Sequence, residues 1–146
     1  MTITKYTTLL VRDSASEREI SRANDPETAR SIFCDLFHAD RLPVEGIWQL
    51  CLNAQNEVAG AFCVGQGATT SCYVDVPSIA RNALLTGACG VILAHNHPSG
   101  ESAPSMDDLK TTARVKQALD LFCIDLHDHI IISNNSYYSM RMHGNF

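Results

Sequence analysis

Apolar residues are grouped along this chain in two ways, at helical spacing and in short continuous runs. Between Asp25 and Phe37 the spacing is helical, with Ala29, Ile32, Phe33, Leu36 and Phe37 on one face. Asp25 is a candidate N-cap, Pro26 suits the first helical position, and Glu27 suits the first turn. Residues 46 to 52 and 57 to 65 flank the polar stretch Asn53-Ala54-Gln55-Asn56, which predicts a hairpin. A Gly/Thr/Ser-rich segment from Gly65 to Ser71 follows. A second helix opens at Pro77, carries Ile79, Ala80, Ala83 and Leu84 on one side, and ends at Gly87. Gly90 to Ala94 is an uninterrupted apolar run, as expected of a strand covered on both faces. A third helix begins at Ser105 and runs to about Phe122, with Leu109, Ala113 and Phe122 among its apolar positions. Ile124 to Ser133 reads as the last strand, with a turn at Asn134-Asn135. Residues 3 to 11 read as a first strand, and 12 to 24 as a polar connection. The order predicts one domain of the α/β or α+β class, a mixed sheet with helices packed on it.

Composition narrows the classes. The chain has 146 residues, 45% hydrophobic and 18% charged, enough to bury a core without staples and unlike a disordered chain. Net charge is −5 and no Lys/Arg run occurs, which argues against strong direct binding to nucleic acid. No apolar stretch approaches a membrane span, and MTITKYTTLLVRD lacks the order of a signal peptide, so a cytoplasmic location is expected. The six cysteines, Cys34, Cys51, Cys63, Cys72, Cys89 and Cys123, contain no C-x-x-C pair and read as reduced core residues.

The chemistry concentrates in HNHPSGESAPSMDD, residues 95 to 108. His95 and His97 are two apart at the end of a buried strand, so both imidazoles face one spot. A catalytic zinc takes three protein ligands and keeps a fourth position open. Asp108, on the first turn of the next helix, is placed to be the third, and the ten residues after His97 leave room for a loop over the site. Plainer readings exist. With six histidines, a His-x-His arises by chance in roughly one such chain in four, so the pair alone is weak. Ser105 and Asp108 also fit a capping box, and Asp107 a solvated first-turn carboxylate.

Taken together, His95, His97, seven residues, Ser105, two residues and Asp108 resemble the signature of the JAMM/MPN zinc metallopeptidases. HNHPSG, the Pro104-Ser105 step and the later Leu126-x-Asp128-His129-Ile130-Ile131-Ile132 pattern are similar to the RadC-like JAB branch, over residues 24 to 140. The helix–hairpin–helix region of longer members has no counterpart here, so a stand-alone JAB/MPN domain is expected, with helix–sheet layering like that of cytidine deaminases. The resemblance implies one Zn²⁺ held by His95, His97 and Asp108. It implies Glu45, just before the first hairpin strand, as general base, with Glu57 and Glu101 as fallbacks. It implies that the Ser105 hydroxyl donates to the developing oxyanion. The reaction would be hydrolysis of a peptide or isopeptide bond in a peptide or protein substrate.

His127 and His129 alternate on one face of a strand, near Asp125 and Asp128, which makes a second metal conceivable, but local hydrogen bonding is the simpler account. The resemblance gives Asp128-His129 a supporting role. Two other readings compete with the enzyme: a non-catalytic MPN-type interaction module, and an accessory DNA-repair-associated protein of the RadC family. Non-catalytic modules characteristically lack the ligand set that this sequence retains. A zinc deaminase would need His-x-Glu and Pro-Cys-x-x-Cys, and neither occurs.

Overall fold

The computed structural model describes residues 22–67 and 74–146, with Thr4, Thr7, Leu10 and Val11 as isolated positions. Among these the order is α1 (Pro26–Phe37), β1 (Gly46–Leu52), β2 (Val58–Gln66), α2 (Val76–Thr86), β3 (Gly90–Asn96), α3 (Met106–Asp120), β4 (Asp125–Ile132) and β5 (Tyr137–Ser139). The strands form one mixed sheet in the order β2-β1-β3-β4-β5. Only β3 and β4 run parallel. A parallel pair needs a long crossover, and α3 supplies it.

Local chemistry sets the helix ends. The Asp25 carboxylate accepts from the Thr28 amide at 2.8 Å and Pro26 occupies the first turn. Asp75 caps α2, and Gly87, at φ 65°, ends it in the left-handed conformation. In the hairpin turn Asn53 Oδ1 accepts from the amides of Gln55 and Glu57. Every residue of β1 and β3 is buried. On one face of the sheet, α1 packs Ala29, Ile32 and Phe33 against Trp48, Leu50, Ile92 and Ile130. Phe37 stacks on Trp48 at 6.0 Å, adding roughly 0.5–1.5 kcal/mol to the area buried. On the other face, α2 and α3 cover Cys51, Val91, Leu93 and Leu126. The mixed sheet with helices on it is the expected architecture, layered helix, sheet, helix.

Four expectations need correction. The buried face of α3 is Thr112, Val115 and Leu119, whereas Ala113 and Phe122 are exposed. The helix ends at Asp120, so Phe122 belongs to the following turn. Strand β4 is not the last, because β5 pairs with it through Ile130 to Ile132. The cysteines are not uniformly core: Cys51 is buried, but Cys63, Cys89 and Cys123 are exposed. Cys63 lies on the edge strand β2 between Phe62 and Val64, whose side chains take the packed face. Cys72 lies outside the described residues. Finally, His127 and His129 do not share a face. A bulge opposite Val91 and Ile92 leaves His127 out of the ladder, so Leu126 and His129, three apart, both face α3. The strand expected over residues 3 to 11 lies outside the described residues, except Thr4, Thr7, Leu10 and Val11, which form no part of a strand.

Candidate metal centre

The central strand β3 ends at the site. His95 is buried on the α3 face of the sheet. His97 lies just past the strand end, where its amide still donates to the Ile132 carbonyl at 2.9 Å and fixes its position against β4. Beyond it the loop turns at Gly100, which takes φ 90°. The next helix brings Asp108 in on its first turn. His95 Nε2 and His97 Nε2 are 3.0 Å apart. Asp108 Oδ1 is 3.2 Å from the first and Oδ2 3.5 Å from the second. The three donors His95, His97 and Asp108 all lie within 4.8 Å of one another.

The set fits a cation on its own chemistry. His97 Nδ1 is 2.8 Å from the Glu101 carbonyl, which can only accept, so Nδ1 carries the proton. In the neutral ring, Nε2 then points a lone pair at His95 and Asp108. Burial alone would raise the Asp108 carboxyl, but the His95 and His97 rings, in the forms that carry a proton on Nε2, hydrogen-bond it and hold it far below the carboxylate range. The Asp108 hydrogen bond in turn raises His97, with a contribution from the Glu45 charge. Acceptors crowded this closely bind a proton or a metal ion.

Glu45 is brought to the same place. With Ile47, Val74, His95, Asp108, Thr111 and His129 it lines a cavity of about 40 Å³, room for an ion and a water but not for a peptide. Its position is set by Asn96, which strand alternation points away from the two histidines. The Asn96 amide is buried; its Oδ1 accepts from Gly46 N at 2.7 Å, and its Nδ2 donates to the carbonyls of Val44 at 3.0 Å and Leu42 at 3.3 Å. One side chain thus clamps the backbone on both sides of Glu45. Asn96→Ala is expected to cost about 2–4 kcal/mol, because buried backbone groups lose their partners. Urea unfolding measures it, and an unchanged midpoint would show that water replaces the clamp.

Ser105 and Asp108 form a full capping box. Ser105 Oγ accepts from Asp108 N at 3.1 Å and donates to Asp108 Oδ2 at 2.7 Å, while Ser105 N donates to the same oxygen at 2.8 Å. Capping and site geometry therefore coexist. The sequence does not flag Thr112 or Asn96. Thr112 stands four residues after Asp108, on the same helix face, and donates to the Asp108 carbonyl at 2.7 Å. Its Oγ1 is also 2.6 Å from His129 Nδ1, and His129 Nε2 is 2.8 Å from His95 Nδ1. Complete burial pushes His129 well below its ordinary pKa and keeps it neutral.

The remaining candidates fall elsewhere. Glu57 bonds Asn53 at 2.9 Å and braces the hairpin. Glu101 contributes its backbone carbonyl to His97. Asp107 is exposed, 3.8 Å from Lys110. Asp128 is spent on Ser139 Oγ and the amides of His129 and Arg141. It lines, with His127, a groove of about 880 Å³ at the opposite end of β4. Among the described residues, His95, His97 and Asp108 are the cluster with a metal-binding arrangement.

The RadC-like JAB domain family matches residues 23–145. A UPF0758 protein of Finegoldia magna is 35% identical over 118 residues, 81% of this chain and 52% of its own length. The UPF0758 protein YfjY of Escherichia coli K12 is 39% identical over 100 residues, 68% of this chain and 62% of its own. One from Chloroflexus aurantiacus is 31% identical over 131 residues, 90% of this chain and 56% of its own. The chain thus spans about half the length of the curated relatives it matches. It belongs to the RadC-like JAB domain family.

Proposed function

We propose that this domain is a zinc-dependent hydrolase of peptide or isopeptide bonds. The observation that supports it is the convergence of His95, His97 and Asp108 on one another beside a small cavity that His95, Asp108 and Glu45 line. His95 and His97 would hold the metal through Nε2, and Asp108 through a carboxylate oxygen. Zinc bound there supplies a Lewis acid that brings the pKa of water towards neutrality and polarises a carbonyl. The Glu45 carboxylate takes a proton from water in the cavity and returns one to the departing amine. The Ser105 hydroxyl donates to Asp108 Oδ2, and a substrate oxyanion competes for that same proton. The Glu101 carbonyl keeps the His97 ring turned towards the site.

Two imidazoles and a carboxylate also suit iron, so the experiment starts from metal identity. Protein purified without chelator is analysed for its elements and then incubated, with and without chelator, with peptide and isopeptide-linked substrates. Zinc near one per chain and chelator-sensitive cleavage are expected. A protein that holds no metal and refuses added zinc would overturn the proposal.

No helix among the described residues is long and apolar enough to cross a membrane. A direct DNA-binding role has little support. Arg22, Arg41, Lys110 and Lys116 each stand beside a carboxylate, and the net charge is −5. Duplex DNA is therefore expected to bind weakly or not at all at physiological salt. Fluorescence anisotropy decides, since submicromolar affinity with a steep salt slope would reveal a basic face.

A further inference from the structure

We infer that Thr112 and His129 form a tautomer lock on His95, a pair of positioning residues that keeps the His95 Nε2 lone pair turned to the cation site. The inference rests on reading His95, His97 and Asp108 as metal ligands. It starts from a chain of short contacts in the buried layer between β3, β4 and α3. Thr112 Oγ1 donates to the Asp108 carbonyl at 2.7 Å. With its one proton committed there, the hydroxyl offers only lone pairs to His129 Nδ1, 2.6 Å away. His129 Nδ1 is then the donor. The His129 ring is buried between Thr112 and His95 with no carboxylate bonded to it among the described residues, so it offers its Nε2 lone pair as the acceptor for His95 Nδ1 at 2.8 Å. His95 therefore carries its proton on Nδ1 and leaves Nε2 unprotonated, 3.0 Å from His97 Nε2. The chain of hydrogen bonds runs from one ligand's ring to another ligand's backbone.

The two histidines are held differently. His97 faces a backbone carbonyl, which has no donor form. His95 faces an imidazole, which can present either a donor or an acceptor, and Thr112 decides which. Without the Thr112 oxygen, His129 is free to carry its proton on Nε2. It would then donate to His95 Nδ1, and the His95 proton would move to Nε2, where it blocks a cation. A bystander threonine has no such consequence. Thr112 is almost wholly buried, and valine matches its shape without its oxygen.

The test uses the full chain labelled with ¹⁵N. Long-range ¹H–¹⁵N spectra of the imidazoles are recorded at mildly alkaline pH, metal-free and after adding zinc, alongside zinc affinities and the melting temperatures of the metal-free proteins. In the unmutated protein His95 and His129 should both carry the proton on Nδ1. Thr112→Val should shift both rings to the Nε2–H form in the metal-free state. It should also weaken zinc by about 10- to 100-fold. Thr112→Ser should restore both readouts, which a purely steric role for the threonine would not do. Nε2–H on His95 in the unmutated protein overturns the lock. So does a Thr112→Val variant with unchanged tautomers and affinity. A protein that shows Nδ1–H on both rings yet refuses zinc overturns the metal reading and leaves the lock standing.

Discussion

Glu45→Gln is expected to keep its zinc and its melting temperature while hydrolysis falls by about 10²- to 10⁴-fold. Glutamine has the shape of glutamate but cannot accept the proton. The position of the residue does not depend on its charge, because Asn96 holds the backbone through Val44 and Gly46, and the Glu45 carbonyl accepts from the Gly67 amide at 2.9 Å. The cavity wall should therefore survive the change. Full activity in the variant would move the base elsewhere. Loss of zinc in the variant would make Glu45 a ligand and remove the base from the proposal. Either result is readable by measuring metal content and turnover on the same sample.

His97→Ala and Asp108→Asn are expected to lose the metal itself, with zinc affinity falling by more than about 10²-fold. The fold should remain. Neither core cluster includes His97 or Asp108, and the buried apolar residues of both faces close without them. In Asp108→Asn the side-chain amide would still offer an oxygen to the helix cap but no negative charge to a cation, so the two variants separate the ring from the charge. Equilibrium dialysis gives the affinity and circular dichroism the melting of the metal-free forms. Retention of zinc by both variants would remove this cluster as the metal centre. Collapse of the metal-free fold in either would show that the site carries more of the stability than its packing indicates.

Much of this arrangement is legible in the sequence because its signals are local. Asp25 and Pro26 announce α1, the Asn53–Asn56 stretch announces the hairpin, and the apolar run before His95 announces a covered strand. The donor triad is legible for the same reason, since strand alternation and one helix start bring the three together. What escapes depends on partners far away in the chain. The core face of α3 contains Thr112, a polar residue that apolar spacing passes over, and it is buried because His129 lies opposite it. Strand β5 has three residues and is held by Asp128 through Ser139. The β4 bulge leaves no mark in the sequence, yet it turns His127 away from His129. Asn96 reads as a loop residue beside Pro98 and Gly100. Only its alternation with His95 and His97 hints that it faces the opposite side.

The parallel pairing of β3 with β4 has a consequence for the order in which this protein assembles. The hairpin closes over a few residues, whereas Gly46 meets Asn96 across 50 and His95 meets His129 across 34. Closing long loops costs entropy before any contact rewards it, and parallel strands wait for their crossover to be synthesised. During translation, then, His95, His97 and Asp108 emerge after Glu45, Ile47 and Val74 but before Thr112 and His129. His129, which steadies His95, arrives only with the final long strand. A cation captured early would find an unbuttressed set of donors in an unfinished chain. On the proposed reading a cation would therefore join a nearly finished fold, the reverse of the small zinc modules whose ion nucleates the structure around it.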